Sequence, residues 1–280
     1  MAEGHTIHNL AGRLDRALAG EVPRVQSPAG TQDAISEALD GRRVLPADPH
    51  GKHLFLPFEG EEFLHVHLGM FGRFSVRLHR RTIKPTGPPL DLPIKGTLHL
   101  RLVTDLHTCE LKAPMICELL DAEGAAAAHA KLGADPLRSD ARPLEAYAAL
   151  RASQQPIAHL LMEQSIIGGI GNVYRAEVLH RLQLDPFKPG AALTEEQFQA
   201  IWSDLLYLFP FGAASGRILT REDDLDRWRA QVASGSAGRP TPHYAVYQRA
   251  GRACPRCGEI VQAQQLLGRR LFWCLGCQTR

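Results

Sequence analysis

Along residues 3–19 apolar side chains return every third or fourth position, so that Ile7, Leu10, Ala11, Leu14, Ala17 and Leu18 share one helical face. The pattern predicts an amphipathic helix that begins almost at the first residue. From about residue 42 to 118 the period drops to two. Leu64, Val66 and Leu68 alternate with Phe63, His65 and His67, and Leu98, Leu100 and Leu102 alternate with His99 and Arg101. Short alternating segments separated by Pro- and Gly-containing turns, such as residues 84–93, predict an antiparallel sandwich or barrel. Residues 119–155 read as a transition that includes an alanine run at 125–128. Beyond it the helical period returns, with helices expected over 156–163, 173–182 and 194–208. The last opens on Thr194 with Gln197 three residues on, a capping box. Between the first two, residues 165–172 form a glycine-rich double turn, and residues 233–242 read as a flexible loop.

At 280 residues the chain is long enough for about two domains of ~100–200 residues. The pattern divides it into a β-rich domain over 1–118, the transition over 119–155, a helical domain over 156–243 and a small unit over 244–280. With 44% hydrophobic and 22% charged residues it can build a core and is not biased towards disorder. The net charge of +2 does not single out a nucleic-acid partner. Its distribution says more: residues 245–280 carry six arginines and one acid, Glu259, for a local net charge of +5. Such a tail suits a polyanion, although a solvated charged face has the same composition. No apolar run approaches the ~18 residues of a membrane span, and the start lacks the basic-then-apolar order of a signal peptide. A reducing cytoplasm is the expected compartment, where tight cysteine pairs imply metal rather than disulfides.

Cys254-x2-Cys257 and Cys274-x2-Cys277, sixteen residues apart, have the spacing of a closed four-thiolate structural zinc site. A unit of this size buries too little core to fold unaided, so metal binding would supply folding free energy. Cys109 and Cys117 lack such spacing and read as buried apolar residues. Between the pairs, Gly268, Arg269 and Arg270 fall midway through an expected β-hairpin, where arginine can reach phosphates or simply be solvated. Asn172 follows the glycine run where a helix should begin, placed to cap that helix, to bind phosphate, or both. At the other end, removal of Met1 before the small residue Ala2 would expose an α-amine. Its ordinary pKa of ~7.7–8.0 leaves roughly a tenth neutral near pH 7. Beside Glu3 and at a helix start, it has the makings of a Schiff-base nucleophile with an acid/base partner.

Together these features resemble one family. Met1-Ala2-Glu3-Gly4-His5-Thr6 resembles the Met-Pro-Glu-Gly opening of the formamidopyrimidine-DNA glycosylase and endonuclease VIII family, closest to its endonuclease VIII branch. Gly51-Lys52-His53-Leu54 is similar to the strand carrying that family's catalytic lysine, and His67-Leu68-Gly69-Met70 to the segment that inserts an apolar side chain into DNA. Residues 132–137 match its Leu-Gly-x-Asp-Pro-Leu linker, and residues 161–174 its helix–two-turn–helix. The cysteine hairpin, with Arg269 five residues before Cys274, completes the set in family order.

The resemblance implies an α+β multidomain fold: an N-terminal helix with an antiparallel β-sandwich, a helix–two-turn–helix domain and a C-terminal zinc-finger hairpin holding one structural zinc ion. It implies a monomer acting on damaged double-stranded DNA, a glycosylase with apurinic/apyrimidinic lyase activity. Ala2 would be the nucleophile and Glu3 its acid/base partner. Lys52 and Arg269 would contact phosphates near the lesion, Asn172 the backbone, and Met70 would be the wedge. His65 and His67 are expected to face the surface or DNA. Three positions depart from the family pattern. Ala2 replaces proline, so its Schiff base is an imine that must be protonated to draw electrons, and the alternative is a weakened or silent damage-binding homologue. Thr6 replaces a further acid. The Arg-Arg-Phe-Gly loop of the oxidised-purine branch is missing, residues 105–110 standing in its place, which points towards oxidised pyrimidines.

Overall fold

The computed structural model describes residues 2–79, 97–236 and 238–278. The turn expected at 84–93 lies outside the described residues. The chain forms two compact units, one made of Ala2 with Ile7–Ala130 and the other of Glu3–Thr6 with the chain from Lys131 onward.

The first unit holds most of α1 (Gly4–Leu18) and two four-stranded antiparallel sheets. One sheet runs in the order β1-β6-β7-β5, from Arg24–Gln26, Leu100–Val103, His107–Lys112 and Arg73–Leu78. The other runs β2-β3-β4-β8, from Asp48–His50, His53–Phe58, Glu62–His67 and Ile116–Leu120. The helical face expected from sequence is buried in full, and its side chains share a core with Leu54, Leu56, Leu64 and Val66 of one sheet and Phe74, Leu100 and Leu102 of the other. Because successive side chains alternate, His53, Phe55, His65, His67 and Glu118 all project from the opposite face of the second sheet. That face is not bare. Phe55 is fully buried, stacked on His65 and on His129 of α3 (Ala122–Ala130).

Two helices lie inside the stretch read as a transition. The alanine run belongs to α3, as alanine's helix propensity favours, and α4 (Pro143–Arg151) follows after a proline at its first turn. A short helix α2 (Asp33–Leu39) also went unread. The second unit gathers α4 and four more helices around one core: α5 (Ile157–Leu160), α6 (Asn172–Arg181), α7 (Glu195–Ser215) and α8 (Glu222–Ala233). The capping box on α7 is present, with Thr194 Oγ1 accepting from Gln197 N and Gln197 Oε1 accepting from Thr194 N. Two boundaries differ from expectation. α5 stops at Leu160 because the next residues tighten into i→i+3 bonds, Met162 N to His159 O and Glu163 N to Leu160 O. α7 runs past Pro210 to Ser215, held by the buried Phe209 before the proline and Gly212 after it. Packing there outweighs the one helical bond proline removes. A two-stranded hairpin, β9 (Val261–Leu266) and β10 (Arg269–Cys274), ends the fold.

Candidate functional site

In the second unit, helix α6 organises the functional residues. Glu3 is fully buried, and its carboxylate accepts from Gly171 N at 2.9 Å, Val173 N at 2.9 Å and Tyr174 N at 3.4 Å. These are the unpaired donors at the start of α6, where the helix dipole also favours negative charge. A side chain about 170 residues away in sequence therefore caps the helix. Gly171 is needed for this approach, since a Cβ there would lie 2.4 Å from Glu3 Cδ. Gly4 N donates to Gly169 O at 2.8 Å, tying the chain start to the double turn a second time. The double turn is held by Gln164, whose amide bonds Met162 O, Ile170 O and Gly169 N. Its backbone pairs with the 132–137 linker through Gly133 N, Ala134 N and Gly168 N. Tyr174 packs edge-on to His5, and its phenol is pushed well up by burial and then by Glu3.

Asn172 does not cap α6, as the sequence allowed. It is the first helical residue, and no side chain of the N-cap Gly171 exists to do so. Glu3 already occupies that role. The Asn172 amide instead donates to Arg270 O at 3.0 Å, while its oxygen accepts from Arg175. Arg175, fully buried and unnoticed in the sequence, also donates to Arg270 O at 3.0 Å. Burial lowers its pKa to about 10, with nearby Arg269 adding to the fall and Glu3 opposing it, so it remains a cation at neutral pH. Two donors from one turn of α6 thus fix the strand that carries Arg269, which is exposed immediately after the tight turn Leu267-Gly268. One turn further along, buried Glu177 accepts from the backbone N–H groups of Ala245, Val246 and Tyr247 at 2.8–2.9 Å and from Thr220 Oγ1. It anchors the segment leading into the cysteine unit. Neither Arg175 nor Glu177 has a local signal; a charged residue on an otherwise buried helical face was the only hint.

The four cysteines come together as expected. Their sulfurs lie within 4.8 Å of one another, with Cys254–Cys277 at 3.8 Å and Cys257–Cys274 at 3.4 Å. Thiolates ~2.3 Å from a tetrahedral ion need edges of about 3.8 Å, so the set fits one metal ion with no ligand position left open. His180 Nε2 lies 3.3 Å from Cys254 Sγ, placed to orient that ligand. Among the described residues no other group of three or more potential ligands converges. Cys109 is buried and Cys117 half-buried, and burial raises their thiols to about 12 and about 11, as suits packing residues.

In the first unit, Lys52 sits in the two-residue turn Gly51-Lys52 between β2 and β3, with His50 paired to His53 across it. Met70 is 54% exposed in a tight turn closed by Gly72 N donating to Leu68 O. Two further apolar side chains, missed in the sequence, share that end of the sheet. Phe71 is 82% exposed beside Met70. Met115 is 70% exposed in the β7–β8 loop, whose N–H donates to His67 O at 2.8 Å. Nothing local in the sequence marks them; their exposure is what singles them out. One expectation is corrected here. His65 is buried, not at the surface, because Phe55 stacks on its ring and His53 and Glu118 hydrogen-bond its two nitrogens. In the stretch read in place of the missing Arg-Arg-Phe-Gly loop, Asp105 and Leu106 make a turn, and His107–Lys112 is strand β7. The loop that follows, 113–115, has three residues and no arginine.

No helix among the described residues is long and apolar enough to cross a membrane. Residues 1–113 match the formamidopyrimidine-DNA glycosylase N-terminal domain, and residues 132–221 match the formamidopyrimidine-DNA glycosylase H2TH domain. Endonuclease 8 1 of Mycobacterium tuberculosis is 39% identical over 279 residues, covering 100% of both chains. The formamidopyrimidine-DNA glycosylase of Laribacter hongkongensis is 30% identical over 280 residues, covering 98% of this chain and 95% of the relative. Among solved structures, the Lactococcus lactis Fpg in complex with DNA containing an abasic site superposes with a TM-score of 0.79 at 21% identity, covering 99% of this chain and 100% of that one, a likeness of fold. The chain belongs to the formamidopyrimidine-DNA glycosylase and endonuclease VIII family of DNA-repair glycosylases.

Proposed function

We propose that this protein is a DNA glycosylase with apurinic/apyrimidinic lyase activity that excises oxidised bases, pyrimidines above all, from double-stranded DNA. The observation that carries the reading is the seat of Glu3. Three backbone N–H donors hold its carboxylate, so the residue joined to it, Ala2, begins the chain from an anchored position rather than from a fraying end. Once Met1 is removed, the Ala2 amine attacks C1′ of the damaged nucleoside, and the base leaves with its bonding electrons. Loss of a proton from the nitrogen and opening of the sugar ring give an imine. Protonated, this imine draws electrons from C2′. Proton loss at C2′ then expels the 3′ phosphate by β-elimination, and a second elimination expels the 5′ phosphate. Glu3 carries protons to and from the ring oxygen and the amine. Lys52 and Arg269 hold phosphates flanking the lesion, and Asn172 serves the backbone while fixing the Arg269 strand. Met70 is the wedge that fills the vacated stack, with Phe71 and Met115 enlarging it.

Zinc is the ion proposed for the four cysteines, in a structural role that keeps the β9–β10 hairpin folded. The sequence boundaries carry over as the proposed organisation: a catalytic domain over 1–118, a transition over 119–155, a helix–two-turn–helix domain over 156–243 and a zinc finger over 244–280. Preference for pyrimidines rests on the short 113–115 loop without the arginines of the oxidised-purine branch. A silent damage binder is the second reading, favoured by alanine in place of proline at position 2. Incubation with duplexes carrying thymine glycol, 8-oxoguanine or an abasic site separates the two. The enzyme reading expects nicked products bearing phosphate at both ends, fastest from thymine glycol and the abasic site. Tight binding to all three duplexes with intact strands, restored to cleavage by Ala2→Pro, would establish the silent reading.

A further inference from the structure

The turn that presents Lys52 is flanked by two matched side-chain relays, each running from a carboxylate through two histidines. In one, His65 Nδ1 lies 2.8 Å from Glu118 Oε1, and His65 Nε2 lies 2.8 Å from His53 Nδ1. In the other, His129 Nε2 lies 3.2 Å from Asp48 Oδ2, and His129 Nδ1 lies 3.1 Å from His50 Nδ1. The fully buried Phe55 stacks between them, 4.5 Å from His65 and 3.9 Å from His129. The relays end on His53 and His50, the residues that close the Gly51-Lys52 turn from either side.

The chemistry of the first relay limits its tautomers. A carboxylate only accepts, so His65 donates from Nδ1, and in the neutral ring its Nε2 is a bare acceptor. His53 must then donate from Nδ1, which leaves His53 Nε2 as a bare acceptor with no hydrogen-bond partner among the described residues. A bare ring nitrogen repels a phosphate oxygen; an N–H at the same atom binds one. With these tautomers only the imidazolium form of His53 can join Lys52, its neighbour in the chain, in holding a phosphodiester, and Glu118, through His65, compensates the added charge.

We propose that the Gly51-Lys52 turn is a proton-coupled phosphodiester site, in which His53 takes up a proton as DNA docks and closes on the same backbone phosphate as Lys52. The proposal rests on the reading of this protein as a DNA-binding enzyme. In the free protein every neighbour disfavours that proton. Burial first, then His67 and His65 of β4, His50 of β2 and Lys52 of the turn hold His53 down to about 3. His67 is likewise lowered, by burial and then by Lys52 and His65. An incoming phosphate reverses the sign of the local field, offsetting Lys52 and favouring the cation. The proton comes from solvent, and no bond other than N–H forms.

The test measures affinity for a short duplex containing a tetrahydrofuran abasic analogue, from pH 5 to pH 8 at fixed salt, together with proton uptake by calorimetry in buffers of different ionisation enthalpy. The wild-type protein is expected to bind up to about tenfold more tightly per pH unit of acidification, with net uptake of protons. His53→Gln should lose most of that slope and uptake. Glu118→Gln, at a half-exposed position that folding tolerates, should shift the steep region to lower pH while leaving salt dependence unchanged. DNA binding with the same slope and uptake in wild type and in either folded variant would overturn the proposal and leave the DNA-binding reading standing. Failure of wild-type protein to bind the duplex at any pH would instead remove the reading on which it rests.

Discussion

Two hairpins in this protein present a cation from a two-residue turn, and they are held in opposite ways. The β9–β10 hairpin carries Arg269 just past Leu267-Gly268, and the β2–β3 hairpin carries Lys52 beside Gly51. The first is fixed by the Arg175 guanidinium and Asn172 amide on Arg270 O, groups whose charge does not change near neutrality, and by four cysteines with the geometry of a metal site. The second is fixed by imidazoles, the one side chain whose ordinary pKa lies close to physiological pH. The difference teaches that two cations presented alike can be held by groups of different chemistry, thiols with metal-site geometry in one case and imidazoles in the other.

Metal removal should break the first hairpin and spare the second. Structural zinc contributes apparent binding free energies of about 10–16 kcal/mol in small finger peptides, so chelation or Cys257→Ser should produce the largest loss. The expected result is a marked fall in thermal stability of the cysteine unit and in DNA affinity, with the histidine proton resonances of the β2–β3 region unmoved. Unchanged DNA affinity in metal-free protein would show that the cysteines do not hold the hairpin. Arg175→Met should follow in size. It leaves Asn172 Oδ1 and part of Arg270 O buried without a donor, at a cost of about 2–3 kcal/mol, visible as a lower denaturation midpoint.

Acid should act on the second hairpin in turn. His53 and His67 have folded-state pKa values below their ordinary 6.5, so the unfolded chain binds more protons and stability rises with pH. Their contribution is fully present above about pH 6.5 and is lost as pH falls below it, for His53 on the way to about 3. Both rings are partly solvated, so the slope should stay below about 1 kcal/mol per pH unit, and His53→Gln should flatten it in a denaturation series. A slope unaffected by that change would mean that other groups govern acid sensitivity. The smallest effects are expected at the turn glycines. Gly268 has φ of 80° and Gly51 of 57°, so alanine at either should cost about 1 kcal/mol. Gly268→Ala should lower affinity at all pH values alike, whereas Gly51→Ala should alter the pH profile as well.

The two hairpins also differ in how far they could be read from sequence. Cys254, Cys257, Cys274 and Cys277 announce their partners by spacing, and the hairpin between them follows from it. The histidine relays do not, because Asp48, His65, Glu118 and His129 meet only through strand register and the packing of α3, which spacing does not encode. The same limit explains the other misses. Alternation separates Leu64 and Val66 from His65, but the expectation that His65 faces the surface or DNA misses its burial, since period two says which face a residue takes and not whether that face is covered. Asn172 stands at the start of α6 as expected, but of the roles left open for it the cap belongs to Glu3, about 170 residues away in sequence. Family likeness singles out Met70, whereas the exposure of Phe71 and Met115 shows only in the structure.

The central claim is that Glu3 anchors Ala2 so that its amine can form a Schiff base with the lesion sugar. Borohydride reduction during reaction with abasic-site duplex, followed by peptide mapping by mass spectrometry, tests it most directly. The account predicts a covalent protein–DNA adduct on the Ala2 amine that disappears with Glu3→Ala or when Met1 is retained. An adduct mapped to a lysine, or none at all from protein that binds the duplex with Met1 removed, would contradict it.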